Sequence, residues 1–399
     1  MSKHIKIILL VIVSLLLMAE LCFLGSRMWK PEEQPIRIPA ETPSAAPTEA
    51  PTEPPLLTIQ PPAEVPAEAP TEEPTEVPTE VPTEEPNTEP EEEITALYRN
   101  PLTGEPLEEP LTLRLFAFPI GNDPESLPHV GTQDADILFE MYASHYTTRC
   151  LALFTDITQT DIIGPVWYVR YNFTDLAVAY DAYLAHASAS QEILRDLNKS
   201  GVDDIWVSTS GRVSFRDKSR TQKGYSTEDA LMADGPSMYR YLTDKKRPIT
   251  LTEENRDYGL HFVRNGTPTG GEDATKINIT FRISDEHSKL STMTFDPSLG
   301  RYIYTQYGRS GEGDQPENFE NVFVMLAEVQ TDHNQHIANL DGSGDGFYAC
   351  NGKIIPIRWH HEKATDPITF THLDGTPLEQ GIGNSYIAIA PLGSDVEWA

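Results

Sequence analysis

The chain has 399 residues and a formal net charge of −31, from 61 acidic and 30 basic side chains. No clustered Lys/Arg surface accompanies that charge, which argues against a nucleic-acid partner, because phosphate binding needs such a surface. Three cysteines are too few for a disulfide framework, and no CxxC or Cys/His spacing points to structural zinc.

Residues Ile7 to Ala19 are apolar apart from Ser14, and Leu21 to Gly25 extend the run past Glu20. From Ile5 to Gly25 the stretch matches the roughly 20 residues that cross a bilayer as a helix. Residues 1–30 read as an uncleaved signal anchor, favoured by length and by the absence of a small-x-small cleavage site. Lipid attachment at Cys22 and simple cleavage are the alternatives; Ala19-Glu20-Leu21 makes a poor lipobox. The anchor places the N-terminus in the cytoplasm and the remainder outside the cell membrane.

Residues 31–96 read as a disordered stalk of Pro, Thr, Glu, Ala and Val. A Pro-Thr-Glu-x repeat runs from Pro70 to Pro86, and Arg37 is the one basic residue between positions 31 and 93. The apolar content cannot offset chain entropy, and each proline removes a backbone donor. In polyproline II geometry, at ~3.1 Å per residue, such a segment reaches on the order of 190 Å.

From Leu97 onward the texture is globular. Strand patterns at Leu111–Phe118 (ending at Pro119), Ile137–Tyr142, Cys150–Phe154 and Ile205–Ser208 interleave with helical spacing at Phe173–Tyr180 and Ser190–Asn198. This predicts an α/β domain over residues 97–255, with mixed α/β or α+β as the overall class. Strand runs at Lys276–Ile283, Met293–Phe295, Tyr302–Tyr307, Val322–Val329, Gly346–Cys350, Lys353–Trp359, Thr369–His372 and Tyr386–Ala390 predict a smaller, antiparallel β-rich domain over 256–399. Asn351-Gly352 is the strongest hairpin signal. Cys150 and Cys350 fall in different domains and read as free buried thiols rather than a disulfide.

A set of motifs resembles one family. Asn100-Pro101-Leu102-Thr103-Gly104 is followed in order by Asp134 to Glu140, Thr148 to Phe154, Ile163-Gly164-Pro165-Val166, Asp175-Leu176-Ala177, Tyr180-Asp181-Ala182, His186-Ala187 and Phe215 to Arg220. The match continues at Phe295-Asp296-Pro297, Tyr302, Gly342-Ser343-Gly344, Trp359, Asp374-Gly375 and Gly383-Asn384. Together these resemble the YerB-like putative lipoproteins, bacterial envelope proteins of unknown function, over roughly residues 97–395. The resemblance implies a membrane-tethered, extracytoplasmic protein with an α/β domain followed by a β domain, and supplies no established activity. Departures from the family pattern are the Trp167-Tyr168-Val169-Arg170 stretch, which lacks the first arginine of Arg-Ser-Ala-Arg, and Ser188-Ala189-Ser190 in place of Gly-Gly-Ser. A Pro-His-Asn element before Tyr225 is missing. A site built on those groups is changed or degraded here.

Glu140, Arg149, Arg170, His186, Arg216, Asp217 and Arg220 lie at or just past candidate strand and helix ends, where α/β folds place ligand crevices. The arginines suit a carboxylate or phosphate clamp, or else pair with nearby acids as structural ion pairs. His186, oriented by Asp217 or Glu140, suits a general base, with a satisfied core or rim histidine the favoured reading. No GxSxG elbow, Ser-x-x-Lys or P-loop marks a nucleophile or phosphate cradle. His333-x-x-His336 sits in a polar stretch, His360 and His361 alternate faces of a strand, and Asp341 to Gly346 reads as a tight turn rather than a calcium loop. No metal or cofactor is expected. The function that follows is a membrane-anchored, extracytoplasmic binding or scaffold protein with a small anionic, cell-wall-derived or protein partner. The alternative is an envelope hydrolase or transferase using His186.

Overall fold

The computed structural model describes residues 97–399 apart from 145–146, 252–255, 285, 311–315 and 333–334. The apolar run and stalk lie outside the described residues. The described residues form one compact unit, and β-structure dominates it.

The strands and helices that position the site run in chain order as follows. They are β1 (Phe116–Gly121), β2 (Ile137–Ser144), β3 (Thr147–Phe154), α1 (Tyr171–Ala179), β4 (Tyr183–His186), α2 (Gln191–Ser200) and β5 (Asp204–Trp206). After a short helix α3 (Lys218–Gln222) and α4 (Gly235–Asp244) come β6 (Lys276–Ser284), β7 (His287–Asp296), β8 (Arg301–Gln306) and β9 (Asn318–Phe319). The chain closes with β10 (Asn321–Ala327), β11 (Val329–Asp332), β12 (Gln335–Ala338), β13 (Gly342–Cys350), β14 (Lys353–His361), β15 (Ser385–Pro391) and β16 (Asp395–Trp398).

One 13-stranded mixed sheet takes strands from both halves of the chain, in the central order β14-β13-β10-β15-β2-β3-β1-β4-β5. The seam is β15, which is parallel to β10 on one side (Asn321↔Ser385) and to β2 on the other (Ser385↔Ile137). All seven of its residues are buried. The C-terminal half is therefore not purely antiparallel: its last long strand must lie along β2 to close the sheet. The second sheet, β9-β8-β7-β6-β16, is antiparallel throughout. Leu138, Ala152 and Phe118 meet Phe281, Met293 and Tyr302 between the sheets. On the opposite face Phe139, Leu151 and Leu153 pack under Phe173 and Leu176 of α1 and Ile193 and Leu197 of α2.

Local signals explain the elements. Ser190 caps α2 by accepting from the Ile193 N–H at 3.3 Å, and Gly201 ends it in the left-handed conformation at φ 76°. Asn351 and Gly352 both have positive φ, as the tight β13–β14 hairpin turn requires. Pro119 does not end its strand. Its carbonyl accepts from the Trp167 N–H at 2.7 Å, so its nitrogen points to the same side, where β4 pairs only with Phe116 and Ala117 and no ladder donor is missed. Gly342 to Gly346 is the start of β13 paired to β14 rather than a tight turn, and His336 lies on a hairpin strand rather than in a loop; His333 lies outside the described residues. Cys150 and Cys350 are both free and buried. Ser190→Ala should lower stability by about 1 kcal/mol, measured as a fall in the urea midpoint without a change in slope.

Candidate anion-binding site

The seven residues singled out in the sequence do not form one cluster. Arg149 and Arg170 come together. Arg149 opens β3 on the face that carries α1, and Arg170 is the residue from which α1 begins. The segment between them is held by main-chain bonds: Trp167 N–H to Pro119, Ala187 N–H to Trp167 and Val169 N–H to Ser188. That places the Trp167 ring under the Arg149 guanidinium, 5.1 Å from it.

Arg149 pairs with Asp123 at 2.8 Å and donates to Thr147 Oγ1 and the Thr148 carbonyl. Arg170 donates to Ser144 Oγ at 3.1 Å and to the Val169 carbonyl. Burial, and then the nearby positive charge of Arg149, push the Arg170 pKa down to about 10, so its guanidinium stays charged at neutral pH. Asp123 is ion-paired to Arg149 and not to Arg170. Nε of each arginine and Oδ1 of Asp123 are buried with no hydrogen-bond partner among the described residues. The N-terminus of α1 has no side-chain cap and no acid in its first turn, so the helix dipole adds to the positive potential. This arrangement can hold an oxyanion. The one thiol nearby in sequence, Cys150, is fully buried, and burial raises its pKa well above the ordinary thiol value.

The other five residues do different work. Glu140 is not a ligand group; it is fully buried on β2, in the core between the sheets. Its Oε1 accepts from Lys289 Nζ at 2.5 Å, Thr148 Oγ1 at 2.7 Å and Asn122 Nδ2 at 3.0 Å. Its Oε2 accepts from Tyr386 at 2.6 Å, Tyr304 at 2.7 Å and Ser291 at 2.8 Å. Burial alone would raise its pKa, but the Lys289 charge and these donors outweigh that and hold it below the ordinary carboxylate value.

His186 is also fully buried, and its partner is neither Asp217 nor Glu140: Nε2 meets Asp204 Oδ2 at 3.0 Å. The parallel pairing of β4 with β5 fixes this, since it sets Leu184 beside Asp204 and His186 beside Trp206. Asp217 is partly exposed and caps α3, accepting from the Ser219 N–H at 2.7 Å. Arg216 is exposed and reaches the Thr227 carbonyl. Arg220 is 4% exposed and donates to the carbonyls of Ser126, Pro128 and Asp229, pinning the loop after β1.

Sequence reasoning missed Lys289, Asn122, Tyr304, Tyr386, Trp167 and Asp204. A signal for Lys289 was available: it shares strand parity with Ser291 and Met293, so it sits on the inward face of β7 and needs a buried counter-charge. No group of three or more His, Cys, Asp or Glu side chains placed to hold a metal ion occurs among the described residues.

Comparison with known proteins now bears on the fold. Residues 102–244 match the N-terminal domain, and residues 279–387 the C-terminal domain, of the proteins of unknown function grouped as DUF3048. The chain belongs to this YerB-like family. The crystal structure of YerB protein from Bacillus subtilis, a structural-genomics target, is similar with a TM-score of 0.64 and 20% identity, over 75% of this chain and 99% of that one. At that identity the likeness shows the shared fold alone. None of the curated proteins matches the chain.

Removing Lys289 from this family member would leave Glu140 charged and unpaired in the core. Lys289→Ala should therefore cost about 3–5 kcal/mol, whereas the double change Lys289→Met with Glu140→Leu should recover most of it, as read by urea unfolding. The pH dependence has a definite sign. Because the folded pKa of Glu140 is depressed, its contribution is fully present above its unfolded value of 4.5 and is lost as pH falls through the folded pKa. In acid titrations followed by circular dichroism, Glu140→Gln should be less stable than wild type at neutral pH and should lose less stability below that value.

Proposed function

We propose that the protein is a membrane-anchored, extracytoplasmic binding protein of the bacterial cell envelope that holds a small anionic ligand, a carboxylate or phosphate, between Arg149 and Arg170. The observation that carries this reading is the closeness of two guanidiniums of which only Arg149 is ion-paired, to Asp123. Like charges brought together at partly buried positions cost free energy in the free protein, and a bound anion relieves that cost. The Trp167 ring gives the ligand an apolar wall. Support for the location is in the sequence: the apolar run from Ile5 to Gly25 and the Pro/Thr/Glu stalk fit a tethered domain held away from a membrane. The chain's overall acidity keeps anionic polymers at a distance and leaves a small, locally held anion as the suitable partner.

The enzyme alternative loses its constellation. His186 is enclosed and turned to Asp204, Asp217 caps a helix, and Glu140 is committed to Lys289.

Two measurements check the reading. In a thermal-shift series on the full-length protein, inorganic phosphate, small carboxylates and soluble cell-wall fragments serve as probes. A probe present at 100 times its dissociation constant should add about 2.7 kcal/mol, and Arg170→Ala should abolish the shift; no shift with any of these probes would sink the proposal. For the location, protease added to intact cells should remove an epitope at the C-terminus, and a protected epitope would contradict the assigned topology.

A further inference from the structure

Five residues beyond Arg170, on α1, Asp175 lines a separate cleft of about 590 Å³ together with Asp341 and His361. No residue that holds the arginine pair lines this cleft. Asp175 is half-buried, and burial, then the negative charges of Asp196 and Asp341, push its pKa up to about 6. Among the described residues no lysine or arginine pairs with Asp175, Asp196 or Asp341. The cleft is therefore lined by two carboxylates, Asp175 and Asp341, that no lysine or arginine neutralises among the described residues.

The histidine supplies an independent observation. His361 is 3% exposed, and its Nδ1 lies 3.0 Å from the Leu340 carbonyl. A ring nitrogen facing a carbonyl oxygen must carry the proton, so in the neutral ring Nε2 is a lone-pair acceptor. That Nε2 has no hydrogen-bond partner. A buried acceptor left unmatched on the wall of an acidic cleft asks for a donor from outside the chain.

We propose that this cleft binds an organic cation carrying a primary ammonium group. An ammonium has three N–H donors and a full positive charge, which suits the carboxylates of Asp175 and Asp341 and the lone pair of His361. A bare metal ion is a poorer fit. No three ligating side chains converge at metal distance among the described residues, and the volume lies within the few hundred to ~1,000 Å³ typical of small-molecule sites.

The test is isothermal titration calorimetry on the full-length protein with 1,5-diaminopentane as the cationic probe. 1,5-Pentanediol serves as a neutral probe of the same length, and calcium chloride as the metal arm. The diamine should bind and the diol should not. Asp175→Asn and Asp341→Asn should each weaken diamine binding by about tenfold or more. Asp341 is exposed, so the second variant tests the site even if the first disturbs the helix; circular dichroism reports the fold of both. Absence of diamine binding would overturn the proposal. So would equal binding by the diol, unchanged affinity in both variants, or calcium binding that displaces the diamine. None of these results bears on the arginine pair, which is probed with anions.

Discussion

The ion pair between Glu140 and Lys289 holds the molecule's two largest sheets in one arrangement. The carboxylate belongs to the large sheet and the ammonium to the five-stranded one, and both are enclosed. Six side-chain donors from β2's surroundings, β7, β8 and β15 converge on the two oxygens of Glu140, so moving either sheet along the other leaves several buried polar groups without partners. Such a cluster selects one register more than it adds net stability, because taking both charges out of water offsets much of their attraction. An apolar contact between the sheets would tolerate sliding; this one does not.

The same contrast separates structural from functional polar groups elsewhere. Around Glu140 every oxygen is saturated, and around Arg220 three carbonyls absorb the guanidinium. At Arg149 and Arg170 the accounting stays open: charges of the same sign are neighbours, and buried polar atoms have no partner within the chain.

The fold was largely legible where hydrophobic period and turn chemistry agree. The spans of α1 and α2, the Asn351-Gly352 hairpin and the alternating strands β6 to β8 follow from spacing, caps and positive-φ residues. Strand Phe116–Gly121 was misjudged at Pro119, because a proline is tolerated when its nitrogen faces an irregular neighbour, and that depends on the distant Trp167 segment. The site was half legible. Motif position brought out Arg149 and Arg170, but the partners of Glu140 and His186 are set by long-range registers: Lys289 lies 149 residues from Glu140, and Tyr386 lies 246 away. No local pattern encodes such pairings, so charged residues at strand ends looked alike whether they face solvent, cap a helix or neutralise a buried lysine.

The position of β15 has a consequence for how the chain reaches its native state. Residues Ser385–Pro391 come after every other strand of the large sheet in sequence, yet they occupy its middle, flanked by strands that begin at positions 137 and 321. During synthesis, therefore, the earlier strands cannot meet their central neighbour until all of them have emerged. Until then β2 and β10 present open edges at the place where the finished protein has none, a hazard for edge-to-edge association. Closure by so distant a strand also makes the topology one of high contact order, which slows folding. The exposed interval is thus governed by translation as much as by the intrinsic folding rate, and the large sheet is most vulnerable to aggregation before β15 arrives.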